Sequence, residues 1–227
     1  MKIDILSLFP EMYNGPFTES ILKRAQEAGK VEINIHNFRD YTLDPHGNVD
    51  DTPYGGGSGM VLMCQPIFDC INDLKKDDSI VIMMSPSGMV YNQKVAYDLS
   101  QKKHLIILCG HYEGFDERIR SICDVEISIG DYILTGGELP SMILVDSIVR
   151  LLPGVIDEES SANESFNNNL LDYPVYTKPR IYNGMEVPEV LLSGNHKLIS
   201  EYRYQEQVRK TKELRPDLLG DNYEDKV

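Results

Sequence analysis

Residues 128–140, with the sequence S-I-G-D-Y-I-L-T-G-G-E-L-P, form the stretch whose composition best suits the binding of a small molecule. The stretch contains three glycines and lies between a short run typical of a strand and a long apolar run typical of a helix. Because glycine has no Cβ, backbone amides and carbonyls in such a loop can approach a bound molecule closely. The same composition suits a tight turn that needs positive φ, and one glycine-rich loop does not decide between the two.

Two other loops of similar composition also follow predicted strands. They are G-H-Y-E-G at residues 110–114 and S-P-S-G at residues 85–88. In an open parallel sheet, ligands bind outside the carboxyl ends of the strands. Three such loops at one edge of a sheet would form one pocket, so the sequence predicts a single ligand site built from all three.

Two ionisable residues outside these loops have ordinary structural explanations. Arg150 lies in an apolar predicted helix, where an unpaired charge is costly, and Asp146 one turn earlier is a suitable ion-pair partner. Glu164 lies in a stretch rich in Ser, Asn and acidic residues, where a solvated surface acid is usual. The residue types alone assign neither of them a chemical role.

The elements that must position these residues alternate between strands and helices, which predicts an α/β domain with a mostly parallel sheet. Strands are expected at residues 2–9, 31–35, 79–84, 104–109 and 124–129, and helices at residues 18–28, 65–76, 92–101 and 115–122. A last helix is expected with Pro140 in its first turn and a buried apolar run at residues 142–152. Thr18, Asn92 and Asn195 are suitable N-caps, the last for a helix that ends near residue 213. Residues 37–59 are polar and glycine-rich, with the length of a functional or disordered loop.

The alternation of strands and helices stops near residue 152, which predicts how the chain divides into domains. Residues 1–152 are predicted to form the α/β domain. Residues 153–170 are rich in polar and acidic residues and predict a flexible linker. Residues 171–227 predict a small helical domain.

The composition limits which classes of protein this chain can belong to and which partners it can bind. The chain has 227 residues, with 41% hydrophobic and 26% charged residues, and no apolar run approaches the ~20 residues of a membrane span, so no membrane partner is expected. A net charge of −14 disfavours non-specific binding to a phosphate backbone, and no DNA partner is expected. Contact with another nucleic acid needs a local basic cluster, such as the six Lys and Arg residues within residues 196–216. The four cysteines form no C-x-x-C pair and predict reduced thiols in a cytoplasmic protein.

Six stretches together resemble the bacterial tRNA (guanine-N1)-methyltransferases of the TrmD type. They are L-F-P-E-M near the start, V-D-D-T-P-Y-G-G-G-S-G-M at residues 49–60, C-G-H-Y-E-G-F-D-E-R-I at 109–119, the stretch at 128–140, P-G-V at 153–155 and L-L-S-G-N-H at 191–196. They occur in order along the whole chain, so the set is far more specific than any one of them.

This resemblance implies an S-adenosylmethionine-dependent RNA methyltransferase of the SPOUT class, whose parallel sheet contains a deep trefoil knot. Chain-topology rules exclude knots by default, so the pattern of elements alone predicts an unknotted, doubly wound sheet. The resemblance also implies a homodimer with each active site at the subunit interface. Its target would be N1 of guanosine 37 in tRNA, and magnesium would be required.

The resemblance assigns roles to residues by position. S-adenosylmethionine is assigned to loop residues Met84, Ser85, Pro86, Gly110, Tyr112, Glu113, Gly114, Ile129, Gly130, Asp131, Tyr132, Ile133, Leu134, Gly136, Gly137 and Pro140. Catalysis is assigned to Arg150, a cation for the ring oxygen that gains charge, and to Glu164, a base for the N1 proton. Guanosine contacts are assigned to Asp50, Ser165, Ser193, Gly194, Asn195 and His196, and no metal ligand is assigned.

Glu164 departs from the family pattern, which has an aspartate before Ser-Phe in a linker one residue longer. This departure leaves open a non-catalytic module that binds S-adenosylmethionine or RNA. Among enzymes, a knotted methyltransferase acting on another RNA base also stays open. A nicotinamide-dependent dehydrogenase lacks support, because residues 55–59 do not complete G-x-G-x-x-G and no strand precedes them.

Overall fold

The structure is a computed structural model and describes residues 1–157 and 164–220. The chain divides into two compact units, Met1–Ile156 and Asp157–Val227. Residues 158–163 of the predicted linker, and residues 221–227 of the predicted helical domain, lie outside the described residues. Within the described ranges, none of the helices has the length and apolar character that crossing a membrane requires.

A parallel sheet forms the centre of the first unit. Its strands are β1 (Lys2–Leu6), β2 (Glu32–His36), β5 (Ser79–Val90), β6 (His104–Leu108) and β7 (Val125–Ser128), and the intervening β3 (Asp50–Asp51) and β4 (Val61–Leu62) form a separate antiparallel pair. The order in the sheet is β2-β1-β6-β5-β7, and every neighbouring pair is parallel. The predicted α/β class with a mostly parallel sheet is confirmed.

Helices cover both faces of this sheet, as an all-parallel sheet requires. They are α1 (Ser20–Glu27), α2 (Cys64–Leu74), α3 (Gln93–Ser100) and α4 (Glu138–Val149). Successive strand residues point to opposite faces. Ile3 and Ile5 therefore pack in the core that contains α1, α3 and α4, whereas Leu6 packs in the core that contains α2.

A buried carboxylate ties three strands together on one face of the sheet. Asp4 is fully buried, and its oxygens lie 2.7 Å from Lys2 Nζ, 2.9 Å from His36 Nε2 and 2.7 Å from His104 Nε2. Burial raises the pKa of Asp4, but hydrogen bonds from these groups and from Asn34 outweigh it and hold the pKa well below its ordinary 3.8. The charged side chain of Asp4 therefore joins three strands of the sheet. The alternating pattern of β1 does not distinguish Asp4 from a surface polar residue.

The strand β5 and the helix α4 differ from their predicted limits at their carboxyl ends. β5 continues to Val90 instead of ending at Met84, because Met84 and Met89 both align with Ile127 and the loop between them bulges from the strand. α4 begins at Glu138, with Pro140 in its first turn as predicted, and ends at Val149 rather than at residue 152. Its first turn therefore lies inside the glycine-rich stretch.

The predicted N-caps form where the side-chain oxygen is free to accept a hydrogen bond from a backbone N–H of the helix. Asn92 Oδ1 accepts from Val95 N–H at 3.1 Å, and Asn195 Oδ1 accepts from Leu198 N–H at 3.3 Å, which confirms both caps. Thr18 does not cap α1, because its hydroxyl instead accepts from Gly15 N–H at 3.1 Å. The predicted helix at residues 115–122 is a 3-10 helix, Glu117–Ile122.

The second unit contains helices α5 (Glu189–Leu192) and α6 (His196–Leu214) and a hairpin of β8 (Ile181–Tyr182) and β9 (Met185–Glu186). The chain before the hairpin packs along the C-terminal half of α6. Leu171 N–H donates to Oγ1 of the fully buried Thr211 at 2.9 Å, and Lys210 Nζ donates to the Asp172 carbonyl at 3.1 Å. These contacts fix the segment that follows Glu164 to the helix.

Candidate functional site

A cavity of about 570 Å³ lies at the carboxyl ends of β5, β6 and β7. The three loops singled out in the sequence line it together: residues 85–86 of the β5 bulge, residues 110–114 after β6, and most of the segment between β7 and α4. Carboxyl ends of parallel strands meet at the same edge of a sheet, which explains why loops so far apart in sequence converge. The predicted pocket of three loops is therefore present.

Glycine is required where the segment after β7 passes over the end of β6. Gly137 N–H donates to the Gly110 carbonyl at 2.9 Å, and a Cβ on Gly137 would lie 2.7 Å from the Cα of Cys109. A Cβ on Gly136 would collide with the side chains of His111 and Glu138. The pair of glycines thus lets two backbones form one continuous wall of the cavity.

The loop after β6 is held by the glycine-rich stretch that follows β3. Glu113 N–H donates to the Met60 carbonyl at 3.0 Å, and Leu62 N–H donates to the Gly114 carbonyl at 2.9 Å. The Glu113 carboxylate lies against Gly59, where a Cβ would overlap it. Tyr112 has φ of 59°, a left-handed conformation that is rare for a tyrosine and is enriched at binding sites.

Acidic side chains dominate the charged part of the lining. Glu113, Asp116 and Glu117 line the cavity, and Arg120 lines it with its guanidinium 2.9 Å from Glu117 and in an ion pair with Glu126. The Arg118 guanidinium beside Asp116 holds the pKa of that carboxyl well below its usual range, so the carboxyl is ionised at neutral pH. The rings of Tyr112 and Tyr132 are about half exposed at the same site. Exposed rings beside carboxylates suit a ligand that combines a flat heterocycle with positive charge.

The cysteine next to the cavity is not a nucleophile. Cys109 is buried beneath Gly137, and burial raises the pKa of its thiol to about 12. Its sulfur lies 3.3 Å from the Tyr13 hydroxyl, which also bonds to Ser141 at 2.9 Å. A thiol with this pKa stays protonated at neutral pH, so covalent thiol chemistry is not available here.

Fifteen of the sixteen residues assigned to the cofactor line this cavity, and Asp131 does not. The lining also contains nine residues that the sequence reasoning did not assign: Met83, His111, Phe115, Asp116, Glu117, Arg120, Ile127, Ser128 and Thr135. Several of these nine residues lie next to assigned residues in the same loops. Assigning each loop as a whole would therefore have included them. His111 is the most informative omission, since it lies inside the G-H-Y-E-G loop.

Arg150 directly follows α4, and its backbone N–H donates to the Asp146 carbonyl at 3.2 Å. The side chain is half-buried beside a helix whose inner residues Leu144 and Ile148 are fully buried. The catalytic role assigned to Arg150 stays a prediction.

Glu164 and Ser165 belong to the second unit and begin a hydrogen-bonded turn. Ser165 Oγ accepts from Asp172 N–H at 3.0 Å, and Phe166 N–H donates to the Leu170 carbonyl at 2.7 Å. The Arg215 guanidinium lies 5.9 Å from the centre of the Phe166 ring. Glu164 is half-buried at the start of this turn, so its backbone position is set by its C-terminal neighbours.

The other residues assigned to guanosine fall on two separate features. Asp50 lies on β3, which pairs with β4 next to the loop after β6. Ser193, Gly194, Asn195 and His196 form the exposed turn between α5 and α6. Their role in guanosine binding stays a prediction.

The basic cluster noted in the sequence is largely engaged within the second unit. Arg209 pairs with Glu206 at 2.7 Å and with Glu213 at 3.1 Å, and Arg203 lies over the Tyr173 ring at 4.7 Å. The cluster is therefore a mixed surface rather than a uniformly positive one. A nucleic acid bound there would have to compete with, or share, these contacts.

Comparison with known proteins gives a consistent result. The chain matches the family described as tRNA (Guanine-1)-methyltransferase TrmD over residues 1–221. It is 57% identical over 220 residues to the tRNA (guanine-N(1)-)-methyltransferase of Dictyoglomus turgidum, covering 96% of this chain and 90% of the relative. It is 57% identical over 221 residues to that of Carboxydothermus hydrogenoformans, covering 96% and 87%, and 56% identical over 224 residues to that of Bacillus cereus, covering 96% and 92%.

The family match runs through both compact units and includes all three cavity loops. Identity above one half extends over 96% of this chain and over 90% and 87% of the first two relatives. The resemblance inferred from the six sequence stretches is confirmed: the chain belongs to the tRNA (Guanine-1)-methyltransferase TrmD family.

Proposed function

We propose that this chain is an enzyme that transfers a methyl group from S-adenosylmethionine to N1 of guanosine 37 in tRNA. The observation that supports it most directly is the cavity at the carboxyl ends of β5, β6 and β7, in a chain 57% identical to relatives named for this chemistry. The sequence alternatives, another RNA base or binding without chemistry, are not favoured by any structural observation.

The cavity fits S-adenosylmethionine in size and chemistry. A volume of about 570 Å³ is within the range of small-ligand pockets. Gly110 and Gly137 bring backbone amides and carbonyls to the wall, and Glu113 places a carboxylate near it. When bound, the sulfonium of S-adenosylmethionine supplies the methyl group as an electrophile. The chain's own task is then to orient that sulfonium, exclude water and manage the proton on N1.

Methylation of guanine N1 requires that the N1 proton is removed and that the negative charge left on the base is stabilised. Guanine N1 is protonated at neutral pH, and its deprotonation places negative charge on the neighbouring exocyclic carbonyl oxygen, O6. We assign proton removal to the carboxylate of Glu164, which is one methylene longer than the family's aspartate. We assign stabilisation of the oxygen to the guanidinium of Arg150 at the end of α4.

A homodimer with the active site at the subunit interface is part of the proposal. Leu139 and Ile143 lie one turn apart on α4 and are 49% and 46% exposed, and Phe9 and Met12 are each 41% exposed. Exposed apolar side chains at this spacing form a helix face suited to a twofold partner. Sedimentation is expected to give a dimer at micromolar concentration, whereas a 25.8 kDa species alone would contradict it.

We also propose that the segment after β7 is threaded as a trefoil knot. β7 lies at the edge of the sheet beside β5, yet the chain that leaves it reaches the end of β6 and bonds Gly137 to Gly110. It must therefore pass the end of β5, where residues 85–88 bulge outward. This crossing supports the knot implied by the resemblance, which ordinary connection rules would not predict.

A cytoplasmic location and a requirement for magnesium complete the proposal. All four cysteines are free thiols, as expected in a reducing compartment. Within residues 1–157 and 164–220, no group of three or more His, Cys, Asp or Glu side chains could hold a metal ion. Because Mg²⁺ is commonly held by one or two carboxylates with waters and substrate phosphates, we propose the requirement without assigning the metal a ligand or a step.

The proposed function is tested by methyl transfer to two tRNA transcripts that differ at one nucleotide. The purified chain is incubated with methyl-labelled S-adenosylmethionine and a transcript with guanosine at position 37, or a matched transcript with adenosine there. Label is expected in the first transcript only. Equal labelling of both would assign the chemistry to another base, and labelling of neither would contradict the proposal.

A further inference from the structure

Glu138 is a buried carboxylate that connects three segments next to the cavity. It is the first residue of α4 and is 1% exposed. Ser7, after β1, donates from Oγ to Glu138 Oε1 at 2.6 Å. His111, in the loop after β6, lies with Nε2 2.7 Å from Glu138 Oε2. A carboxylate accepts only, so His111 Nε2 carries the proton of this hydrogen bond.

Such a carboxylate depends strongly on its two donors. Burial penalises a charged or unpaired carboxyl group, and removal of one partner leaves a buried acceptor unsatisfied. Glu138 is also in the first turn of α4, where the helix dipole favours a negative charge. The contact with His111 is thus a strong constraint on where the loop after β6 can lie relative to α4.

The imidazole of His111 is also fixed by packing on both sides. The Phe9 ring lies on one side, with centroids 4.6 Å apart and an interplanar angle of 55°. Gly136 lies on another side, so close that a Cβ there would collide with both His111 and Glu138. His111 itself lines the cavity, between Gly110 and Tyr112. The ring therefore joins two of the three loops that form the cavity wall.

We propose that His111 is a positioning residue for the methyl donor: through its hydrogen bond to Glu138 it holds residues 110–114 against residues 136–138 in the arrangement that binds the donor. This inference rests on the proposed function for the identity of the ligand. It does not require His111 to touch the reacting atoms. Loss of the imidazole removes the Glu138 contact and the packing under Gly136 together, so the two loops separate.

The test is calorimetric titration of the full-length chain with S-adenosylmethionine, together with thermal melting of each variant. His111→Ala is expected to weaken binding by about tenfold or more, because a misplacement near 1 Å can cost on the order of 10²-fold in a tight site. His111→Gln, whose side-chain amide offers a neutral N–H donor to Glu138, is expected to restore affinity to within about threefold of the parent.

The matched control is His104→Ala. His104 is a buried histidine whose Nε2 lies 2.7 Å from the buried carboxylate of Asp4, at the opposite end of β6, and it does not line the cavity. It is expected to lower the melting temperature and leave affinity unchanged. If His104→Ala weakens binding as much as His111→Ala does, general destabilisation explains the effect and the inference is wrong.

Further outcomes separate this inference from the proposed function. If the parent chain does not bind S-adenosylmethionine, both are wrong. If the parent binds and folded His111→Ala binds equally well, the positioning role alone is wrong. Should His111→Ala not fold, His111→Phe keeps a ring beside Phe9 and removes the donor to Glu138. It is expected to weaken binding by about threefold or more, and parent affinity would overturn the inference.

Discussion

Gly137→Ala adds one methyl group where the segment after β7 crosses β6. The new Cβ would lie 2.7 Å from the Cα of Cys109, whereas ordinary contact begins at 3.4 Å, so the segment must move by about 0.7 Å. The obstacle is backbone, which cannot rotate away as a side chain can. The move would stretch the 2.9 Å hydrogen bond from Gly137 N–H to the Gly110 carbonyl beyond its normal range.

Two effects of different size are expected from this displacement. Overpacking of this kind lowers the free energy of unfolding by about 1–3 kcal/mol, which a folded protein tolerates. A shift of nearly 1 Å in a cavity wall can lower kcat/KM by on the order of 10²-fold, because ligand positioning is more sensitive than folding. The assay is titration with S-adenosylmethionine, followed by methylation kinetics on tRNA at saturating cofactor and with cofactor varied.

Gly29→Ala provides the matched control. Gly29 follows α1 with φ of 66°, and no atom lies within 4 Å of a Cβ built there. An alanine in that conformation lowers stability by about 1–2 kcal/mol, without any contact to the cavity. Gly29→Ala is expected to keep the parent affinity. Parent affinity in folded Gly137→Ala, or an equal loss in both variants, would refute the reasoning about the cavity wall.

Two further predictions concern the buried carboxylate of Asp4 and the carboxylate that we propose as the base, Glu164. Asp4→Asn should lower the free energy of unfolding in urea by about 3–5 kcal/mol, whereas Asp98→Asn, in the exposed pair with Lys94 at the same 2.7 Å, should change it by under about 1 kcal/mol. Because the pKa of Asp4 is lowered in the folded chain, its contribution is present above its ordinary value of 3.8 and is lost as the pH falls further; similar losses for both variants would contradict this. Glu164→Gln should bind S-adenosylmethionine normally and slow single-turnover methylation by about 10²–10⁴-fold. A parent rate would place the base elsewhere, with Asp157 in the same stretch the next residue to test.

The cavity was predictable because each of the loops that line it has a local sequence signature. Gly110, Gly137 and their neighbours are small residues that follow apolar strand runs, and the edge of a parallel sheet brings such positions together. The caps at Asn92 and Asn195 were predictable for a similar reason, since the capping bond spans only three residues.

The sequence could not show which segments that are far apart along the chain come into contact. Asp4 and His104 are 100 residues apart, and Ser7 and Glu138 are 131 residues apart, so no local pattern marks either carboxylate as buried. The burial of Glu138 has the same cause. Its position in a glycine-rich loop indicates an exposed polar residue, whereas Ser7 and His111 satisfy its carboxylate inside the protein.

The identity of the methylated nucleoside tests the central proposal most directly. A tRNA transcript with guanosine 37 is methylated by the purified chain, digested to nucleosides and analysed by mass spectrometry against standards of the isomeric methylguanosines. A second portion is mapped by primer extension. The account predicts 1-methylguanosine, with a single stop at position 37. A different methylguanosine isomer, or 1-methylguanosine at another position, would contradict it.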